Sequence, residues 1–199
     1  MPNNFYIKYG KRVFDFIMSL MGLILLFPIF IIIALLIKFS SNGNIFYMQT
    51  RIGKNFKPFN LYKFRSMREA KGLSITSKDD PRITSLGKFI RKTKIDELPQ
   101  LLNVLKGEMS LVGPRPEVEK YVYIQEEAYQ NILTIKPGIT DLAAIEYRNE
   151  EEILSEYQDK EEAYIQEIQP RKILFYKQYL QEITLVNDIK IILQTLKII

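Results

Sequence analysis

An aspartate and a glutamate stand side by side at Asp96 and Glu97, two residues ahead of Pro99 and just downstream of Arg91, Lys92 and Lys94. Proline is tolerated only in a helix's first turn, so the spacing predicts a helix that starts near Asp96, with Asp96 as its N-cap. Helix starts carry unpaired N–H groups and positive potential, so anions collect there and a carboxylate stays ionised at neutral pH. Such a carboxylate could attack an electrophilic phosphorus or hold a divalent cation on a diphosphate. The plainer reading is a capping Asp and a first-turn acid, and only the company of these residues argues against it. That company includes Arg115, set between Pro114 and Pro116, which stiffen the backbone on both sides of a guanidinium suited to bidentate phosphate binding. The chain has no His and no Cys. Imidazole acid–base catalysis, cysteine nucleophiles, thiolate metal sites and disulfides are excluded, so ionisable chemistry falls to Asp, Glu, Lys, Arg, Tyr or a hydroxyl.

The elements that must position these groups come from a chain of 199 residues, 47% hydrophobic and 26% charged, which fits a single domain over 1–199. A net charge of +5 hides an asymmetry: residues 51–95 carry +10 and residues 117–182 carry −8. A basic segment of this kind seeks phosphate, on nucleic acid, a lipid head group or a nucleotide. Within it, residues 45–52 and 59–67 read as the two strands of a β-hairpin joined by GKNFKP. Alternation puts Lys63 and Arg65 on one side and Tyr62 and Phe64 on the other, a basic face that could meet phosphate or simply face solvent. A polar loop over 69–83 follows, then a short helix capped by Ser85 and reaching about Thr93. The helix from Asp96 carries an apolar stripe of Leu98, Leu101, Leu102 and Leu105 and stops at Gly107.

Residues 16–37 contain no charge and only Ser19 as a clearly polar side chain, which is membrane-grade sequence. The run is long for a signal peptide's apolar region, lacks a small-residue cleavage pattern, and has no second apolar run to enclose it as a core helix. Pro28 predicts a bend, leaving arms of about 18 Å and 14 Å, each near half of a hydrocarbon core roughly 30 Å thick. Basic residues flank both ends (Lys8, Lys11 and Arg12 before; Lys38, Arg51, Lys54 and Lys57 after), so both ends favour the cytoplasmic side. A re-entrant helix hairpin over 16–37, broken at Pro28, satisfies both observations; a straight spanning helix with a tolerated proline is the alternative. The expected fold is mainly α with a small β-hairpin: the N-terminal membrane hairpin, then a compact cytoplasmic domain over 44–199. At the C-terminus, Leu185, Ile189, Ile192 and Leu196 recur at helical spacing, read as a core-packing stripe, with interfacial amphipathic insertion as the alternative.

Several of these segments, taken in order, resemble one family. KFRSM (63–67), DDPRIT (79–84), the stretch from Arg91 to Pro99, LVGPRPE (111–117), KPGIT (136–140) and YRNEEE (147–152) together are similar to the bacterial sugar transferases, the small monotopic phosphoglycosyl transferases, over about residues 10–199. The resemblance implies transfer of a sugar-1-phosphate from a UDP-sugar to a polyprenol phosphate such as undecaprenyl phosphate, with release of UMP, in bacterial glycan assembly. It implies that Asp96 is the nucleophile of a covalent phosphosugar intermediate. Glu97 would be its dyad partner, associated with Mg²⁺ and the acceptor, so Asp96 and Glu97 are the expected metal residues. Arg91, Arg115 and Arg148 match phosphate- or nucleotide-contacting arginines, and Pro114 and Pro116 the rigid loop beside the nucleotide; Lys63 and Arg65 join the expected phosphate-binding set. The implied setting is the cytoplasmic face of the bacterial inner membrane, in contact with membrane lipid and with no nucleic acid partner. One departure is Phe27, where family members commonly place Ser before the hairpin proline; Phe cannot bond the carbonyl that Pro28 frees. A reading of another class is a non-catalytic, membrane-anchored basic module that binds nucleic acid or anionic lipid through the +10 segment. It would lose affinity steeply with salt and would not need Asp96.

Overall fold

A computed structural model describes residues 5–40, 43–68 and 80–198. The chain opens with a π-helical turn, Tyr6–Gly10, that runs directly into helix α1, Lys11–Ser40. Pro28 lies inside α1 without ending it. A proline forfeits one helix hydrogen bond, and the thirty-residue helix continues past it. One face of α1 carries the buried residues Asp15, Ser19, Ile33 and Ile37, at helical spacing; the opposite face exposes Ile17, Met21, Ile24, Phe27 and Ile31.

That inward face is seated on the rest of the domain from end to end. Arg12 donates to the carbonyls of Val104 and Leu105, and Asp15 Oδ1 accepts from Leu111 N at 3.0 Å. Gly22 lies against Leu101, while Ile33 and Ile37 close a cluster with Phe64 and Ile90. The β-hairpin forms as expected: β1 (Phe46–Ile52) pairs antiparallel with β2 (Pro58–Phe64), from Phe46 opposite Phe64 to Ile52 opposite Pro58. Most of the polar loop expected over 69–83 lies outside the described residues. Helix α2 (Ser85–Lys92) is capped by Thr84, whose hydroxyl accepts from Gly87 N, so Ser85 is its first residue and not its cap. Gly87 is required there, since a Cβ would strike the carbonyl of Ser66.

Helix α3 (Gln100–Lys106) ends at Gly107, in the left-handed region with φ +84°. Two three-residue strands, β3 (Ser110–Val112) and β4 (Gly138–Thr140), pair in parallel, an element that the sequence pattern does not announce. They bring LVGPRPE and KPGIT side by side. A Cβ at Gly113 would sit 2.7 Å from the carbonyl of Lys136, and one at Gly138 would strike the backbone of Gly113, so both glycines are conditions of the approach. Helices α4 (Glu119–Ile124), α5 (Glu126–Ile132), α6 (Leu142–Glu146), α7 (Glu150–Ser155), α8 (Lys160–Ala163) and α9 (Gln169–Gln181) complete the body. Its largest core cluster joins Ile52, Val122, Tyr129, Ile132, Ile173 and Tyr176.

The last helix, α10 (Leu185–Ile198), corrects the core-packing reading of its stripe. It buries Asp188 and Ile191, while Leu185, Ile189 and Leu196 are exposed together with Val186 and Leu193. Of the expected stripe only Ile192 packs on the core. The described residues are thus mainly helical, with a small antiparallel strand pair and one long apolar N-terminal helix.

Candidate active site

The dyad sits at a junction of two helices and not at a helix start. Thr93 ends α2, Lys94 takes a left-handed conformation (φ 54°), and a 3-10 turn over Ile95–Glu97 carries the chain to Pro99, immediately before α3. The expected N-cap role of Asp96 is therefore overturned. Asp96 is 5% exposed, and its Oδ1 is buried with no hydrogen-bond partner. Burial raises its pKa above the ordinary carboxylate value, opposed by the charges of Lys63, Arg91 and Lys94 and reinforced by Glu97. The charges of Lys63, Arg91 and Lys94, and not a helix start, are what favour its ionised form.

Glu97 has the opposite surroundings. Lys63 Nζ, from β2, reaches its Oε1 at 2.9 Å; Arg115 closes on it as a fork, Nη2 to Oε1 at 2.6 Å and Nη1 to Oε2 at 3.3 Å. Burial alone would raise the Glu97 carboxyl, but Arg115 and Lys63 hold it well below its usual range. Burial pulls Lys63 down against the pull of Glu97, and Glu97 keeps Arg115 firmly protonated. Both oxygens of Glu97 are engaged while an oxygen of Asp96 is free.

The fold aims Arg115 through its neighbours. Pro114 and Pro116 are buried on either side of the half-buried arginine. The Pro114 carbonyl accepts from Gly138 N at 3.0 Å, and the Pro116 carbonyl from Arg51 at 3.3 Å. Glu117, the one acid beside Arg115 in sequence, pairs with Arg51 and accepts from the Tyr164 hydroxyl, which leaves Arg115 to Glu97. Asn103 ties the strand to the helix behind the site: its Oδ1 accepts from Tyr62 N and its Nδ2 donates to the Asn60 carbonyl. Its only sequence signal is a polar residue inside the apolar run LLNVL.

The remaining expected residues are placed unevenly. Arg91 stands beside Ser66 and Met67 and pairs with Glu151 of α7, near enough for its charge to act on Asp96. Glu151 was missed as a site neighbour, although it lies within YRNEEE. Arg65 is buried and its guanidinium lies against Gly43, after α1. Arg148 is exposed in the turn between α6 and α7 and makes no ion pair among the described residues. The basic stretch is thus partly turned inward, with Lys63 and Arg91 both spent on carboxylates.

Chemically, the junction offers one uncommitted carboxylate oxygen inside a ring of cations, an arrangement suited to a phosphate-bearing ligand. No group of three or more acidic side chains able to hold a metal occurs among the described residues.

A family model described as bacterial sugar transferase matches residues 6–199. An exopolysaccharide production protein, ExoY, of Sinorhizobium fredii is 34% identical over 205 residues, covering 94% of this chain and 84% of that protein. The UDP-glucose:undecaprenyl-phosphate glucose-1-phosphate transferase of Escherichia coli is 37% identical, covering 93% of this chain and 39% of that protein. The UDP-N-acetylgalactosamine-undecaprenyl-phosphate N-acetylgalactosaminephosphotransferase of Aeromonas hydrophila is 40% identical over 73% of this chain and 36% of that protein. A match spanning nearly every residue, including the turn that carries Asp96 and Glu97 and the two loops that clamp Arg115, makes this chain a member of the bacterial sugar transferase family.

Proposed function

We propose that the protein transfers a sugar-1-phosphate from a UDP-sugar to undecaprenyl phosphate, or a related polyprenol phosphate, and releases UMP. The observation that carries the reading is the unspent, buried Oδ1 of Asp96 beside a Glu97 already neutralised by Lys63 and Arg115. In the first step that oxygen attacks the sugar-bearing phosphorus, the bridging P–O bond breaks, and its electron pair leaves with UMP. In the second, a phosphate oxygen of the polyprenol attacks the same phosphorus, and the Asp96 carboxylate departs, leaving a polyprenyl diphosphosugar. Arg91 and Arg115 orient and neutralise the phosphoryl oxygens, which is most of what phosphoryl transfer asks of a protein. Release of Arg115 from Glu97 toward the donor would return charge to Glu97 as the diphosphate arrives.

A magnesium ion fits as a partner of the substrate. Mg²⁺ is commonly held by one or two carboxylates together with substrate phosphates and water, and Asp96 has an oxygen to give. Glu97 would join on surrendering one of its two cations. Bound there, the ion would supply charge neutralisation on the diphosphate.

The same proposal sets α1 as a re-entrant element on the cytoplasmic face of the bacterial inner membrane, with α10 lying at the interface. Support comes from packing: the two ends of α1, at Arg12 and at Ile37, rest on one and the same domain, and its opposite face is apolar and exposed. Single cysteines at Lys8 and Asn44, in a chain that has none, should both be labelled only from the cytoplasm; opposite labelling would establish a spanning helix. The chemistry is tested by incubating the enzyme with a UDP-sugar alone. A phosphosugar mass on one peptide containing Asp96, lost in Asp96→Asn, is the expected result, and an unmodified enzyme that still turns over would refute the covalent step.

A further inference from the structure

Away from the dyad, at the far end of α3, cations from two distant parts of the chain converge on Gly107, with a third near one of them. A Cβ built on Gly107 would lie 3.3 Å from the Arg12 guanidinium and 3.3 Å from Lys136 Nζ, so the two charges stand within 6.6 Å of each other. Lys54, from the loop between β1 and β2, is close enough for its charge to act on Lys136. Like charges held this close repel. Asp15 is the acid that faces them, and its carboxylate already accepts from Leu111 N. Arg12 spends two N–H groups on the carbonyls of Val104 and Leu105, which explains it as a helix stop. Lys136 and Lys54 have no such explanation: among the described residues neither makes an ion pair or side-chain hydrogen bond. Burial and the neighbouring Arg12 and Lys54 push the Lys136 ammonium down, as expected of a cation lacking a counter-charge.

The depth of this cluster is set by α1. Arg12 lies four residues before the uncharged run begins at Phe16, and its guanidinium stands 5.8 Å from the exposed Phe16 ring. The cations therefore sit where an apolar surface ends and a charged one begins. The absent side chain at Gly107, enforced by its φ of +84°, keeps the space between them open.

We propose that Arg12, Lys136 and Lys54 form a binding site for the phosphate of a lipid, separate from the dyad and at head-group depth. Two lipids offer that chemistry: a bulk anionic phospholipid, and the polyprenol phosphate acceptor on its way in, whose phosphate must leave this site for the dyad before it reacts. The acceptor assignment rests on the transferase reading, whereas the phospholipid assignment does not.

The test uses Lys54→Gln/Lys136→Gln and Lys136→Arg in the full chain, leaving Arg12 and its helix stop alone. One arm measures KM for undecaprenyl phosphate and for the UDP-sugar; the other measures phosphatidylglycerol retained after equal exposure to phosphatidylglycerol and phosphatidylcholine, by mass spectrometry. The double variant should lose about fivefold for each cation removed, the worth of one basic residue at an anionic surface, in one of the two readouts. Lys136→Arg should recover most of it. A raised acceptor KM with unchanged donor KM identifies the acceptor phosphate, and a loss of phosphatidylglycerol alone identifies the phospholipid. If both readouts match the wild type, the site is refuted. Should the wild type show no turnover, the transferase reading fails and the retention arm still decides. If the double variant unfolds, Lys54→Gln alone, on an exposed loop, decides between the same outcomes through the loss of a single cation.

Discussion

Asp188 and Asp96 are both buried carboxylates, 0% and 5% exposed, with opposite surroundings. Asp188 is saturated: Tyr6 donates at 2.6 Å, Lys11 at 2.6 Å and Tyr179 at 2.7 Å, which binds α1, α9 and α10 into one corner. Asp96 keeps an oxygen with no partner, and the strongest cations nearby are engaged with Glu97. A buried polar group left unsatisfied costs free energy that a saturated one does not. The first carboxylate holds the fold, and the second keeps an oxygen open.

The most direct way to break that contrast is to neutralise each carboxylate in turn. Asp96→Asn should cut turnover at least roughly thousandfold, about 4 kcal/mol of transition-state stabilisation. Its thermal midpoint should hold or rise, because a buried charge has been removed. Asp188→Asn strands Lys11 without its counter-charge and should cost about 3–5 kcal/mol in stability, while the protein that remains folded turns over near the normal rate. UMP release and thermal unfolding, measured on both variants, would contradict the division if the two effects were exchanged.

Asp141 sharpens the comparison because it lies between the extremes. Its Oδ1 accepts from Ala144 N at 2.8 Å as the cap of α6, and its Oδ2 is buried without a partner. Burial pushes its pKa up to about 6. With the folded value above the unfolded one, its contribution to stability is full below about pH 4 and is lost as pH rises through about 6. Asp141→Asn keeps the capping oxygen and should flatten this fall. The variant should match the wild type near pH 4 and exceed it above pH 7 by at most about 3 kcal/mol, read from denaturant midpoints across pH. Equal stability at every pH would show that Asp141 finds water or a partner that satisfies it.

Arg115 joins the two kinds of residue, since it is structurally paired with Glu97 and chemically suited to phosphate. Arg115→Lys keeps the charge and loses the fork, so turnover should fall about tenfold, near 1.4 kcal/mol, with little change in melting temperature. A lowered melting temperature with normal turnover would move Arg115 to the structural side.

What the sequence made legible follows from how local each signal is. The β-hairpin, α2 and the polar company of Asp96, Glu97 and Arg115 depend on alternation, helical spacing and fixed prolines, all readable within a dozen residues. The N-cap at Asp96 failed because Lys94 adopts a left-handed conformation and a 3-10 turn is inserted between α2 and α3, which no short-range pattern for a lysine announces. The pairing of β3 with β4 was invisible because strands of three residues have no period, and its real cause is the mutual approach of Gly113 and Gly138. Helix α10 turns inward a face that its spacing does not announce: Leu185, Ile189 and Leu196 form an apolar stripe yet stand exposed, while Asp188 is drawn in by Tyr6 and Lys11 from the other end of the chain and by Tyr179. Glu151 was passed over because its partner, Arg91, is sixty residues away.

That last pair supplies the smallest effect and the finest test of the contrast. Arg91 has a buried Nε with no partner, so it resembles Asp96 in being incompletely satisfied, yet its outer nitrogen is taken by Glu151. The Glu151 side chain is 42% exposed, and exposed ion pairs contribute about 1 kcal/mol or less. Ser66 and Met67 also touch Arg91 and keep it in place if Glu151 is lost. If Arg91 meets the donor phosphate as proposed, that phosphate would have to displace a weakly held carboxylate. Glu151→Gln should lower the donor KM by about two- to fivefold and leave kcat and the acceptor KM unchanged, since what is removed is competition in the ground state. An unchanged or raised donor KM would mean that Glu151 aims Arg91, and would move it from the donor's competitors to the groups that position the site.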